Sequence, residues 1–472
     1  EDTEGTGFYC NLTPGEHLDK DPLGGDANAD LYLRSLGTTG DLTDTIIGCR
    51  RCGKTRGLQD LTQQHNHGRC SGWRPWLPPG SNEVCEEKPR LLTRTASNAY
   101  FPQTISALSI PSGDAELVEL VKKFWSNLSE VVHVNELPDV RKYVPPLRLA
   151  FENCEDSEIW TAIQRVRTGS SSDLPLREVE WRALRQAEWA SLGDMPKRED
   201  VYFARAEDQP LPEFLDRIVL VHKLREVRAQ VGFSRLESID LDPEGEFNLS
   251  GHESSPLSLN QNWIPAIEAR GEGIFLAFNE KWLGAWEIQP KVLARMGGFD
   301  PTSVKGKGLV VDRLALQARL VFLHTLSHML ITQISLEAGY PAASIKERLY
   351  CYRDPKDPNR SRGGILLSTG TTGSSGTLGG LVQVGKEITR HLQEACERAL
   401  LCSNDPVCSQ HDPRVKEEGR ERHGAACHAC VLIAESSCER MNQDLDRSLV
   451  VPTVHDSGLA ALGPWIDGLS EA

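Results

Sequence analysis

Cys402-Ser-Asn-Asp-Pro-Val-Cys408 and, further along, Cys427-His-Ala-Cys-Val-Leu-Ile-Ala-Glu-Ser-Ser-Cys438 bring five thiols close together near the end of the chain. Two cysteines separated by two residues sit on a tight turn that aims both sulfurs at one point, the arrangement that holds zinc with two further ligands. Five thiols are one too many for a tetrahedron. The metal is expected at Cys408, Cys427, Cys430 and Cys438, with Cys402 left beside it. Four thiolates would fill every coordination position and leave no place for an activated water, so the expected role is structural.

A second set lies near the other end: Cys49-x2-Cys52, then Cys70 and Cys85. It has the spacing of a zinc knuckle, with Gly53 relieving the turn. Gly48-Cys49-Arg50-Arg51-Cys52-Gly53-Lys54-Thr55 also satisfies the Walker A pattern literally. That motif requires a strand before it, a helix after it and amides free to cradle phosphate, which a metal-binding turn cannot supply. The expected cofactor is therefore Zn2+ at about two structural sites, and no ATPase site is expected. Thirteen cysteines in 472 residues do not suggest a disulfide framework, which serves small chains unable to build a core.

A chain of this length exceeds one hydrophobic core, so several domains are expected. An apolar fraction of 39% with 25% charged residues suits a folded globular protein. Fifty-two Lys and Arg against 67 Asp and Glu give a net charge of −15, which argues against general coating of nucleic acid. The best local candidate for a DNA contact is the basic run Lys346, Arg348, Arg353, Lys356, Arg360 and Arg362. No basic segment leading into an apolar signal core is visible, and a reducing, cytoplasmic setting is expected. The greasiest run, Leu320 to Leu336, carries His324, His328 and several hydroxyls and amides, so it reads as a core helix and no membrane association is expected.

The patterning predicts an α+β, multidomain protein. Residues 1–100, rich in Gly, Pro and Asn, read as a zinc-ribbon-like β module with short strands near Leu31–Leu36 and Thr45–Ile47. Residues 101–262 read as a mainly helical middle, with helices over Ala115–Leu128, Leu176–Leu192 and Leu211–Val231. Residues 263–472 read as an α/β domain closed by the second zinc. In it, strand pieces over Ile264–Phe278 are interrupted near Gly271, and Gly306–Val311 and Gly364–Ser368 are strand candidates. A long helix is expected over Asp312–Ala338, and an amphipathic one over Gly385–Leu401 with a Glu394–Arg398 pair.

His324 and His328 stand four apart, as in the HExxH metalloprotease pair, but the glutamate is missing because position 325 is Thr. Two histidines buried in a helical packing face are the default. Glu268, Arg270 and Glu272 suggest paired carboxylates, though an ion-pair cluster at a strand end serves as well. Together these residues define the rival reading, a metal-dependent hydrolase or nuclease acting on DNA.

Several phrases taken together resemble a known family. Cys70-Ser-Gly-Trp-Arg-Pro-Trp76, Ala96-Ser-Asn-Ala-Tyr-Phe-Pro102, Gly232-Phe-Ser-Arg235 and Pro265-Ala-Ile-Glu-Ala-Arg-Gly-Glu-Gly-Ile-Phe275 are similar to segments of DrmB subunits of the bacterial DISARM anti-phage system. So are His324-Thr-Leu-Ser-His328, Gly376-Thr-Leu-Gly-Gly380 and Ala425-Ala-Cys-His-Ala-Cys430. The last part also resembles the zinc-binding domain attached to Mrf-type helicases. The resemblance implies a non-motor, non-enzymatic accessory subunit whose partner is a helicase resembling DrmA, in a heterodimer that engages DNA.

Overall fold

The computed structural model describes residues 31–34, 46–49, 55–57, 101–109, 115–151, 154–168, 175–187, 201–205, 211–234, 241–247, 263–299, 310–371, 380–414 and 422–470. By contacts the chain forms two units. The first holds residues 1–105, 229–239 and 249–266, and the second residues 106–228, 240–248 and 267–472. The expected boundaries at 100 and 262 are not those the contacts draw.

In the first unit, β1 (Leu31–Arg34), β2 (Ile46–Cys49) and β3 (Thr55–Gly57) form an antiparallel sheet in chain order. Gly48 pairs with Thr55 across β2 and β3. The first and last residues of the Walker-like octet thus face each other in an antiparallel pair. A phosphate-binding loop instead runs from a strand into a helix.

The larger sheet joins β4 (Phe101–Leu108), β5 (Tyr202–Arg205), β6 (Leu215–Ser234), β7 (Ala266–Phe278), β8 (Ile345–Tyr352) and β9 (Arg362–Thr371). Its order is β4-β6-β7-β9-β8, with β5 also paired to β6. β8 and β9 form a hairpin from Ile345↔Thr369 to Tyr352↔Arg362.

β6 overturns the helix expected over Leu211–Val231. Ile218 and Leu220 join one core cluster while Val219, Val221 and Leu224 join another. The same alternation sets Ile274 and Leu276 against Phe275 and Ala277, and Ile365 and Leu367 against Leu366. Successive strand residues point to opposite faces. A sheet covered on both sides therefore writes a continuous apolar run that periodicity cannot separate from a helix. β7 likewise runs unbroken through Gly271, where a Cβ would lie 1.6 Å from the Thr369 carbonyl oxygen.

The helices of the second unit are α1 (Ala115–Lys123), α2 (Trp125–Leu128), α3 (Leu137–Tyr143), α4 (Pro145–Ala150), α5 (Asp156–Thr168), α6 (Leu176–Gln186), α7 (Glu280–Glu287), α8 (Pro290–Met296), α9 (Val310–Ala338), α10 (Gly380–Lys386), α11 (Ile388–Ala399) and α12 (Gly463–Ser470). Helices α1 to α5 contribute Leu117, Val121, Leu128, Leu137, Leu147, Ile159 and Ile163 to a cluster of their own, in keeping with the expected helices over Ala115–Leu128. α6 lays Trp181 and Leu184 on one face of the sheet. α9 covers the other face with Leu320, Phe322, Leu323, Leu326 and Leu330. Val310 and Val311 belong to α9, not to the strand expected over Gly306–Val311.

α9 is long and apolar enough to cross a membrane, and its most apolar window is 89% buried within the protein. A helix apolar on every side belongs in a core. Its one arginine in that interior, Arg319, donates from Nε to Glu287 at 2.8 Å and from Nη1 to Glu280 at 2.7 Å. Both carboxylates come from α7, whose first turn Asn279 caps by accepting from the N–H of Lys281 and Trp282.

Candidate metal centre

After α11 the chain turns tightly through residues 402–409. The Asp405 N–H donates to the Cys402 carbonyl at 2.9 Å and the Cys408 N–H to the Asn404 carbonyl at 2.9 Å. The second turn closes when the Cys430 N–H donates to the Cys427 carbonyl at 3.1 Å. These turns bring four sulfurs together: Cys402 and Cys427 at 3.4 Å, Cys427 and Cys430 at 3.6 Å, Cys408 and Cys430 at 3.8 Å. Four sulfurs held at about 2.3 Å from a central zinc stand about 3.8 Å apart. The spacing fits zinc, and Cys402, Cys408, Cys427 and Cys430 are all free of disulfides.

The electrostatics agree. Cys408 is pushed up by the neighbouring Cys430 sulfur and by burial, so these thiols ionise together only around a cation. Burial also acts to raise Cys427, but hydrogen bonds, chiefly from the Ala429 N–H, outweigh it and set that thiol at about 7. The residues present would hold Zn2+ through Cys402, Cys408, Cys427 and Cys430, closing its coordination and stapling the two turns.

This corrects the expected ligand set: Cys402 stands in the cluster and Cys438 does not. Cys438 lies instead with His324, His328 and Glu347 in a second group of convergent side chains, all four buried. The sequence pattern paired sulfurs by proximity in the chain and had no means of placing a loop cysteine against helix and strand residues far away. In the N-terminal set, Cys49 is the last residue of β2, and Cys52, Cys70 and Cys85 lie outside the described residues.

The basic run dissolves as a surface. Arg348, 4% exposed, grips Glu180 with Nε at 2.8 Å and Nη2 at 2.6 Å. Arg353 pairs with Glu287 and Asp312, and Arg362 with Glu178 and Glu244. Lys346 is half-buried, while Lys356 and Arg360 are exposed. Alternation along β8 and the ends of its hairpin turned half of these cations inward, which a count of charges along the chain does not register.

The carboxylates near Gly271 separate too. Glu268 pairs on the surface with Arg225 and Arg270. Glu272 is fully buried, accepts from the Tyr340 hydroxyl at 3.0 Å and from the Leu381 N–H at 3.1 Å, and so caps α10. One carboxylate faces solvent and the other the interior. The expected Glu394–Arg398 pair is replaced by contacts of both residues with Gln333.

Residues 326–431 match the family model of the MrfA Zn-binding domain, and residues 15–101 match a domain of unknown function, DUF8724. The four-cysteine centre therefore belongs to a zinc-binding module of the MrfA type. Beyond that module, the chain is 33% identical over 460 residues to the DISARM protein DrmB of Bacillus paralicheniformis, covering 93% of this chain and 77% of that protein. The chain belongs to the DrmB family of the DISARM defence system. Among solved structures, the crystal structure of the DUF1998 helicase MrfA bound to DNA is similar at 10% identity and a TM-score of 0.22. It covers 46% of this chain and 23% of that one, a likeness too slight to carry fold or function.

Proposed function

We propose that this chain is a non-motor accessory subunit of a DISARM-type anti-phage complex acting inside the cell. It is a zinc-stabilised scaffold that binds a helicase subunit and engages DNA as part of that assembly. The observation that carries this reading is the family relationship, which extends over 93% of the chain and not only over the zinc module. Two zinc ions are the load expected from the cysteine sets, one at Cys402, Cys408, Cys427 and Cys430 and one at Cys49, Cys52, Cys70 and Cys85.

The charge supports DNA engagement through the complex. A net charge of −15, with three arginines of the basic run committed to internal carboxylates, leaves few cations to neutralise phosphates unaided. The pairing of Gly48 with Thr55 and the full burial of His324 and His328 favour a scaffold over an ATPase or a hydrolase.

The test is co-purification with a DrmA-type helicase, followed by DNA titration over a range of salt for the chain, the helicase and the complex. The complex is expected to bind most tightly and with the steepest salt dependence. Failure to associate, ATP hydrolysis by the chain alone that Lys54→Ala abolishes, or DNA cleavage by the chain alone would overturn the reading.

A further inference from the structure

We propose that His324, His328, Glu347 and Cys438 form a second zinc site within the second unit, separate from the four-cysteine centre. The four side chains come from three places. Both histidines project from the middle of α9, one turn apart. Glu347 stands on β8, and Cys438 follows the short 3-10 turn Glu435–Ser437.

Their ligand atoms converge. His324 Nε2 lies 3.1 Å from Cys438 Sγ and 3.1 Å from Glu347 Oε1, and His328 Nε2 lies 3.5 Å from the same oxygen. Nitrogen, oxygen and sulfur ligands around tetrahedral zinc stand about 3.4–3.6 Å apart. The observed spacing is that of a shell drawn slightly together.

The hydrogen bonds around the group orient it as metal ligands are oriented. His328 Nδ1 donates to the Val431 carbonyl at 2.8 Å and His324 Nδ1 to the Asp444 carbonyl at 3.3 Å. A carbonyl only accepts, so each ring carries its proton on Nδ1 and presents the Nε2 lone pair to the centre. His328 Nε2 is fully buried there without a hydrogen-bond partner. An orphaned buried acceptor is costly, and a cation at the centre removes that cost.

The Cys438 sulfur is held in place by backbone donors. It accepts from the N–H of Arg440 at 3.3 Å and of Asn442 at 3.2 Å. Met441 and Asn442, between and at these donors, stand at φ 53° and 58°, left-handed backbone that Asn tolerates and Met rarely adopts. Asn442 is fixed there by donating to the Ile433 carbonyl at 2.8 Å and accepting from the Ile433 N–H at 3.1 Å. Glu347 is held by the Glu439 N–H at 3.0 Å and by the Ser327 hydroxyl.

The donor set of two imidazoles, one carboxylate and one thiolate suits Zn2+ over the harder Mg2+ or Ca2+. All four positions are supplied by buried protein groups, so the site is closed and its role is to clamp α9, β8 and the 438–444 loop together. The match to the MrfA Zn-binding domain spans 326–431 and includes His328 and Glu347 but neither His324 nor Cys438. The centre therefore joins residues on both sides of that module.

The experiment is 113Cd NMR of the full-length chain loaded with cadmium, which resolves ligand types without a variant. Four-thiolate sites resonate far downfield, and a site with one sulfur, two nitrogens and an oxygen resonates well upfield of them. The expected spectrum contains such a mixed-ligand resonance, and Cys438→Ser removes it while the signal of the four-cysteine centre persists. In zinc-loaded protein the same variant is expected to lose one zinc ion per chain by mass spectrometry. A wild-type spectrum holding only four-thiolate signals, or zinc content unchanged in Cys438→Ser, overturns the proposal. Neither outcome bears on partnership with a helicase.

Discussion

Arg447 Nη2 lies 2.8 Å from Asp405 Oδ1 and 2.9 Å from Oδ2, a fully buried guanidinium held on the turn that carries two of the four clustered sulfurs. Nη1 of the same side chain donates to the Ala399 carbonyl at 2.7 Å, where α11 ends. Asp405 in turn accepts from the Cys402 N–H at 2.9 Å and the Ser409 N–H at 3.1 Å. Burial acts to raise the Asp405 carboxyl, but the bond and charge of Arg447 together with the bonds from Cys402 and Ser409 outweigh it, and the group stays below its ordinary range. One ion pair thus fixes the geometry of Cys402 and Cys408.

Asp405→Ala is expected to leave Arg447 buried without its counter-charge, at a cost of about 3–5 kcal/mol. Because the pair orients the ligand turn, zinc affinity should fall by about 10–100-fold. Competition against a chromogenic chelator measures the second effect and urea unfolding the first. An unchanged affinity would separate the ion pair from the metal centre.

Cys402→Ser is expected to remove one zinc ion per chain, since Cys402 Sγ stands 3.4 Å from Cys427 Sγ within the four-sulfur cluster. Inductively coupled plasma mass spectrometry of the washed protein checks it. Retention of full zinc content would return Cys402 to the position of a bystander.

The basic run divides into cations that fold the protein and cations that face solvent. Arg348→Met leaves Glu180 buried and unpaired and should destabilise the chain by about 3–5 kcal/mol, read from the unfolding midpoint. Lys356→Ala with Arg360→Ala should leave that midpoint in place. In the helicase complex the double variant should lower the salt slope of DNA binding by about 0.9 for each phosphate that these two cations no longer neutralise.

Gly271→Ala places a Cβ 1.6 Å from the Thr369 carbonyl oxygen, one position in from the end of the pairing between β7 and β9. The atoms it would meet are β9 backbone, which has nothing flexible to yield. A loss of about 3 kcal/mol or more is expected, visible in urea unfolding. The same change at Gly284, where nothing lies within 4 Å, serves as the control.

Burial pushes the thiols of Cys351 and Cys396 up to about 12. The thiolate is the reactive form, and a raised value keeps both neutral at pH 8. Iodoacetamide treatment of the native protein at that pH, followed by peptide mass spectrometry, should find them unmodified, and unfolding in urea should expose both.

The sequence by itself determined the elements whose pattern is local. The CxxC turn at Cys427 and Cys430, the long core helix of α9 and the strand at Gly364–Ser368 follow from spacing, uninterrupted apolarity and turn residues, all written over a few consecutive positions. Family resemblance was legible for the same reason, in short phrases spread along the chain. What tertiary structure alone decided is which distant groups meet. The apolar run Ile218–Val221 became a strand because helices cover both faces of its sheet. Arg348 and Arg362 turned inward because carboxylates on α6 wait there, and Cys402 displaced Cys438 because the Asp405–Arg447 pair holds the first turn against the second. His324 and His328 lacked the neighbouring glutamate that a helix motif would supply. Their carboxylate and thiolate arrive from a strand and a loop, and only the packing of α9 on β8 brings those atoms within reach, since convergence in space is set by how buried surfaces fit and not by order along the chain.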